Sequence, residues 1–349
     1  MITDLRAIPS GPIALYGFGA VGRFVFDTLR RERPDLPIVC IIDDGKAGSM
    51  HEGITICSAE QALEQQHSFS RVLVTGLAWR AMSQRLDALG LRAHDPVDLL
   101  RGPALTQDME VSLPRGSMRL ATPNRLSAIV AERFFDIEPD TIAWMDAFPA
   151  GACFYDVGAS NGLFALYAAI ARASTVVAFE PDALNFGLLS KNRVLNQDRI
   201  QHPFTALQLA LSDRPALIEL VSPDLPYEGA HGKFSGADQR AGLVERGVMY
   251  AQPCLADALD SLIERYGLPH PDYLKVDVDG AEFSVLEGAQ GLLQSGGLRQ
   301  VLIETEDALE PRLSAHMRRF GYRQLAVHRI HEMVGGHVQG VSNYLYGRS

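Results

Sequence analysis

Short apolar runs recur along the chain, each followed by a stretch whose apolar residues fall three and four apart. "IALYG" (13–17) reads as a buried strand, and "AVGRFVFDTLRRE" (20–32) has the spacing of a helix with one apolar stripe. "IVCIID" (38–43) predicts a second strand. "SAEQALEQQ" (58–66) predicts a helix opened by Ser58 as N-cap, and "RVLVTG" (71–76) a third strand. A further helix is expected around Arg80–Leu89, then a short piece near "LRAHD". Such alternation implies a parallel sheet with right-handed crossovers.

From Gly102 to Asn124 the periodicity fades, and Pro103, Pro114 and Pro123 interrupt it. Residues 103–124 are therefore expected to link a domain at 1–102 to another at 125–349. Helical patterns resume at "NRLSAIVAERFF" and "EPDTIAWMDAF", and a new alternation begins at "CFYDVG". It predicts strands at 153–157, 175–179, 205–211, 216–221, 272–277, 299–304, 322–327 and 342–347. No helix fits between "GYRQLAVHRI" and "VSNYLYGR", so the last pair is expected as a hairpin. The fold expected is α/β: a mostly parallel Rossmann-like sheet with a C-terminal antiparallel hairpin, preceded by a smaller Rossmann-like α/β domain.

Composition narrows the function classes. The 349 residues are 47% apolar and 21% charged, with a formal net charge of −10 and no basic run. That excess of acid argues against nucleic acid as the main partner. Cys40, Cys57, Cys153 and Cys254 form no C-x-x-C pair and are expected to be buried free thiols in a reducing compartment. There is no signal-peptide pattern at the N-terminus, and the longest apolar run, Leu163–Ala171, is ended by Arg172. A soluble cytoplasmic chain without a membrane partner is expected.

Candidate chemistry begins with "FYDVGASNGLFALYAAIA" (154–171), a strand, a turn containing Gly158 and Gly162, and a helix. A dinucleotide turn would be G-x-G-x-x-G, with backbone amides facing a pyrophosphate. Here Asp156 precedes the first glycine, where it would repel a phosphate and suit a ligand carrying an amino group or a sulfonium. S-adenosylmethionine carries both. The next strand, "TVVAFEPD", ends in Glu180, 22 positions beyond Gly158 and suitably spaced to accept hydrogen bonds from ribose hydroxyls. The competing reading is a packing turn with a solvated strand-end acid.

"EPDTIAWMDAFPAGACFYDVGASNGLFALYAA", "FEPD", "ALSD" (210–213) and "YLKVDVDGAEFSVLEGA" (273–289) together resemble the FkbM family of S-adenosylmethionine-dependent methyltransferases, over about residues 125–349. The resemblance implies a class I methyltransferase sheet. It also implies a cofactor pocket shaped by Asp156, Gly158, Ser160 and Gly162, with Glu180 on the ribose and Ser212 and Asp213 near the adenine. The implied reaction is methylation of a small-molecule hydroxyl, on a sugar, a glycan precursor or a polyketide-type metabolite. Two positions depart from the family pattern: Ser160 stands where Asn is usual, and Asp279 where Glu is usual.

If the acceptor is a hydroxyl, something must take its proton. Lys275, Asp277, Asp279 and Glu282 cluster at the end of one predicted strand. Asp277 is the candidate base, with Lys275 beside it. Alternatively the carboxylates hold a divalent cation such as Mg²⁺, or Glu282 only caps the following helix. No histidine or further acid stands at a ligand spacing in the sequence, so no metal site is expected. In the polar loop 224–236, His231 and Lys233 are the basic candidates, His231 as a second possible proton acceptor. His328, His331 and His337 straddle the predicted hairpin and are expected at the surface.

"YGFGAVGR" supplies a true G-x-G-x-x-G in Gly17, Gly19 and Gly22, with Asp43 or Asp44 as its strand-end acid. It resembles small Rossmann-like domains attached to some sugar-modifying enzymes and methyltransferases, which implies a nucleotide or nucleotide-sugar site or a fold retained without its ligand. An accessory role is the expectation. The rivals are an NAD(P)-dependent oxidoreductase built on this turn, and a non-catalytic nucleotide-sugar-binding scaffold.

Overall fold

The strand read at 13–17 forms as β1 (Ile13–Tyr16), and its neighbours follow in the expected order: β2 (Ile38–Ile42), β3 (Met50–His51), β4 (Ile54–Cys57), β5 (Arg71–Thr75) and β6 (His94–Val97). The computed structural model describes residues 1–76, 79–99, 108–222, 233–235, 250–331 and 337–348. Its contacts divide the chain into two units, the first built on residues 1–99 and 124–126 and the second on residues 108–123, 127–331 and 337–348.

In the first unit the sheet order is β3-β4-β2-β1-β5-β6, parallel except for the β3–β4 pair. Ile13 and Leu15 face one core cluster while Ala14 and Tyr16 face another, so β1 is buried on both sides as a central parallel strand should be. The helices Ala20–Glu32, Ala59–Glu64 and Trp79–Leu89 lie between the strands in sequence. Ser58 caps the second of these through a full capping box with Gln61.

The second unit opens with a hairpin, β7 (Asp108–Ser112) and β8 (Ser117–Ala121), inside the segment expected as a linker. Val111, Leu113, Met118 and Leu120 bury into the core of this unit, and the turn at Gly116 masked the alternation in the sequence. The main sheet follows: β9 (Cys153–Val157), β10 (Thr175–Phe179), β11 (Phe204–Leu207), β16 (Tyr273–Val276), β17 (Gln300–Glu306), β18 (Tyr322–His331) and β19 (His337–Arg348). The order is β11-β10-β9-β16-β17-β19-β18, and only β19 runs against the rest. That is the class I methyltransferase arrangement, closed by the expected hairpin.

A side sheet, β12-β15-β13-β14, consists of β12 (Ala210–Leu211), β13 (Ala216–Ser222), β14 (Lys233–Ser235) and β15 (Tyr250–Asp257). The single strand expected at 205–211 therefore breaks in two. Its first part stays in the main sheet and its second pairs with β15, a strand that Pro253 hid from the sequence reading. Among the described residues no helix is long and apolar enough to cross a membrane. All four cysteines are buried free thiols, with the sulfurs of Cys40 and Cys57 3.2 Å apart across neighbouring strands.

Candidate active site

In an open parallel sheet, the crevice for ligands lies beyond the carboxyl ends of the strands, where the strand order changes direction. In the main sheet that point falls between β9 and β16, and the sequence elements singled out above meet there. The chain leaves β9 through Gly158 at φ +82°, and a Cβ at that position would collide with the carbonyl of Asp277, just beyond β16. Only glycine fits. The amides of Gly158 and Ala159 both donate to the Phe179 carbonyl at 2.9 Å, and Gly162, also left-handed, starts the helix Leu163–Ala171.

Glu180, at the end of β10, spans this turn. One carboxylate oxygen accepts from the Ser160 amide at 2.7 Å and the other from the Asp182 amide at 2.8 Å. The acid is 5% exposed, and burial raises its pKa to about 8 against the pull of those two hydrogen bonds. Asp182 caps the next helix, Ala183–Leu195, accepting from the amides of Leu184 and Asn185. Gln252 on β15 clamps the same loop, donating to the Pro181 carbonyl and accepting from the Ala183 amide. Ser160 sits at φ +49°, a left-handed conformation that Asn tolerates better than Ser. Asp279 at φ +52° is a well-suited residue for a similar bend.

Asp156, on β9, is 1% exposed, and neither carboxylate oxygen has a hydrogen-bond partner. Burial raises its pKa to about 6, opposed by the charge of Lys275. The strand register explains the company it keeps. Asp156 pairs with Lys275, Lys275 with Leu302 two residues before Glu304, Glu304 with Asn343, and Asn343 with His328. Residues paired across strands share a face. This face is apolar lower down, at Phe154, Tyr273, Leu302 and Leu345, and turns polar only at the carboxyl end.

Lys275 is 1% exposed, with its ammonium 2.6 Å from an Asp277 oxygen and 4.9 Å from the centre of the Phe164 ring. Burial alone would lower its pKa, but Asp277, Glu138, Asp156 and Glu304 outweigh that and hold it above the ordinary value. Glu138, which precedes the helix Pro139–Asp146, accepts from the Thr141 hydroxyl at 2.7 Å and from the Asn343 amide at 2.9 Å. Burial raises the pKa of Glu138 and takes that of Glu304 well above the carboxylate range. Carboxylate oxygens of Glu138, Asp277 and Glu304 lie within 4.8 Å of one another.

The structure adds one feature that spacing could not show and corrects one expectation. Further acids do stand beside Asp277, brought there from a helix start and from β17, distant in sequence and invisible to spacing. His328, expected at the surface, is half-buried, with its Nδ1 lacking a partner. Burial lowers its pKa against the charge of Asp140. The alternation of "VLIETE" along β17, which puts Glu304 in an inward position, was the available signal.

Glu282 accepts from the Gly280 amide at 2.6 Å, at the start of the helix Glu282–Glu287, as a capping acid does. Ser212 and Asp213 are tied to Arg214 and Ser284, and the Ser212 carbonyl packs against Gly288. His231 lies outside the described residues, as does most of the loop 224–236.

In the first unit, Gly22 lets its helix approach the Gly17 carbonyl, where a Cβ would collide, and Gly17 itself packs on the Thr75 carbonyl. Gly19 faces open space. The Asp43 carboxylate accepts from the amide of Phe18, inside the glycine turn, at 2.8 Å, and Lys46 donates to the Phe18 carbonyl. Asp44 accepts from the Tyr16 hydroxyl and the Ala59 amide.

A family model and individual relatives show what the chain resembles. The family model "Methyltransferase FkbM domain" matches residues 156–324. The methyltransferase sdnD of Sordaria araneosa is 32% identical over 201 residues, covering 50% of this chain and 74% of that protein. The hexuronic acid methyltransferase AglP of Haloferax volcanii is 26% identical over 158 residues, covering 45% of this chain and 57% of that one. Among solved structures, a magnesium protoporphyrin IX methyltransferase from Synechocystis, with bound SAM, overlays at a TM-score of 0.39 and 11% identity, over 66% of this chain and 86% of the other. The chain belongs to the FkbM methyltransferase family.

Proposed function

We propose that the chain is an S-adenosylmethionine-dependent methyltransferase that methylates a hydroxyl of a small molecule, most simply a sugar or a sugar-like metabolite. The observation that carries the cofactor is the turn itself. A buried carboxylate at Asp156 and an acid at Glu180 flank a glycine bend at the switch point, a setting that suits a cationic ligand better than a diphosphate. When bound, S-adenosylmethionine supplies a methyl group activated on a sulfonium. Asp156 faces its positively charged methionine end, and Gly158 and Gly162 let the backbone come close. Glu180 accepts from the ribose hydroxyls, with Ser212 and Asp213 on the adenine side. The similarity to AglP, a hexuronic acid methyltransferase, supports the acceptor class.

At the acceptor, Asp277 takes the hydroxyl proton. Lys275 holds that carboxylate in place through their 2.6 Å contact. In the first unit, Asp43 already occupies an amide that a nucleotide phosphate would need. We read that unit as an accessory module of the chain, and not as an NAD(P) site.

Calorimetric titration tests the donor: S-adenosylmethionine and its demethylated product bind the wild type, and Glu180→Ala weakens both at least tenfold. A thermal shift with NAD(H) and none with the donor would overturn the reading. Methyl incorporation into a panel of hexuronic acids and other sugars then tests the acceptor, with Asp277→Asn abolishing turnover while donor binding persists.

A further inference from the structure

We propose that Glu138, Asp277 and Glu304 form a binding site for a divalent, oxygen-seeking cation of the Mg²⁺ or Mn²⁺ class. The site rests on the function proposed above, since Asp277, the proton acceptor there, would share its carboxylate with the cation and bring the acceptor's oxygen to it, but the cation's own binding can be tested without donor or acceptor.

The first argument is geometric. Oxygens of the three carboxylates lie within 4.8 Å of one another. Two oxygens facing each other across one cation are separated by about twice a bond of ~2.1–2.4 Å, so small side-chain rotations bring all three to a common centre. Glu138 immediately precedes the helix Pro139–Asp146, Asp277 is the first residue beyond β16, and Glu304 lies within β17, so each is fixed at or next to a regular element.

The second argument is charge. Asp156, Glu138, Asp277 and Glu304 are four carboxylates on one face of the sheet, and among the described residues Lys275 is the single ammonium beside them. Gathering buried negative charge with too few counter-charges is costly, and a cation relieves it. Lys275 contacts Asp277 at 2.6 Å, leaving Glu138 and Glu304 without an ion pair of that quality. Asp277 is 26% exposed on its side chain, which provides an entry path.

The third observation is independent of the acids. Asn343 is 1% exposed; its amide nitrogen donates to Glu138 at 2.9 Å, while its amide oxygen has no partner. That oxygen belongs to the same planar group as the nitrogen bonded to Glu138, on a residue paired with Glu304 in the strand register. A buried amide oxygen without a donor, on a side chain that contacts one of the three carboxylates, adds a neutral oxygen to an all-oxygen set that suits a hard cation rather than zinc or copper.

The test uses the full chain stripped with EDTA and titrated with Mn²⁺ alone, followed by calorimetry and by the loss of the free-ion EPR signal. One site per chain is expected, with the thermal midpoint rising as Mn²⁺ is added and Mg²⁺ competing for the same site. Glu304→Gln and Glu138→Gln should each weaken binding at least tenfold, whereas Glu60→Gln, in the first unit, leaves it unchanged. If a Gln variant fails to fold, Glu304→Asp keeps the charge and should still weaken binding through its shorter reach. No binding to the folded wild type at millimolar Mn²⁺, or weak multiple binding indifferent to Glu304 and Glu138, overturns the site. Mn²⁺ binding without donor binding leaves this site standing and refutes the proposed function; donor binding without Mn²⁺ binding does the reverse.

Discussion

Single positions at the turn beyond β9 carry unequal loads. Gly158 combines a left-handed backbone with a Cβ position already filled by the Asp277 carbonyl. Gly158→Ala should therefore cost roughly 3 kcal/mol or more, adding backbone strain to a clash, and chemical denaturation would show it as a lower midpoint or as loss of soluble protein. Ser160 has the same backbone sign, and its amide bond to Glu180 does not depend on side-chain identity. Ser160→Asn should stabilise the fold by roughly 0.5–1 kcal/mol, since Asn enters the left-handed region at lower cost, and donor affinity should hold. A drop in midpoint on Ser160→Asn would show that the serine hydroxyl makes a contact worth more than the strain. Both residues were legible in the sequence as a turn, but the reason for each was not. The neighbour that forbids a Cβ at Gly158 comes from a strand more than a hundred residues later.

Elements built on local signals were the easiest to read. The capping box at Ser58, the alternating strands and helices of both sheets, and the closing hairpin all follow from spacing, caps and breakers within a few residues. What escaped was whatever depends on which strands meet. The hairpin β7–β8 lay in a proline-marked stretch, yet Asn192 and Asn196, at the C-terminal end of the helix Ala183–Leu195, hydrogen-bond to the backbone of Ala121 and Arg119 on β8. Asn192 also donates to the Asn161 carbonyl, so this helix braces the glycine turn while presenting its N-terminus beside Glu180. The acid cluster was hidden for the same reason: Asp277 and Glu304 become neighbours once β16 and β17 pair, and Glu138 joins them from a helix start held by Asn343 on β19. The helix start offers a clean test. Asp182→Ala removes the acceptor for the amides of Leu184 and Asn185 and should cost about 1 kcal/mol of stability. Asp182→Ser should restore most of it. If the alanine variant keeps its full midpoint, the cap is not what fixes the loop beside Glu180, and the Gln252 clamp alone suffices.

Across the molecule the buried acids make stability and ligand binding respond to pH in opposite directions. Asp156 and Glu180 have folded-state pKa values raised to about 6 and about 8, above ordinary values near 4 for unfolded chains. The folded chain thus binds more protons than the unfolded one between those limits. Their contribution to stability is complete below pH 4 and is lost as pH rises through 6 and then 8, on the order of a few kcal/mol in total. Glu138, Glu304 and Glu282, also raised by burial, act with the same sign. Exposed acids such as Asp35 and Glu60 are lowered by arginine partners, which works the other way but in solvent-screened positions. Comparing wild type with Glu180→Gln isolates one group: the difference in unfolding free energy between them should change most steeply from about pH 5 to 8 and level off above that. A ribose bound through its hydroxyls needs Glu180 as the carboxylate, so donor affinity should rise over the same interval while the free protein loses stability. Binding at pH 7 should therefore release protons, and calorimetric heats in phosphate and in Tris should differ by the buffers' ionisation enthalpies in proportion. Equal heats in both buffers, with affinity flat from pH 6 to 9, would mean that Glu180 binds no ribose and that its two backbone amides are its only partners.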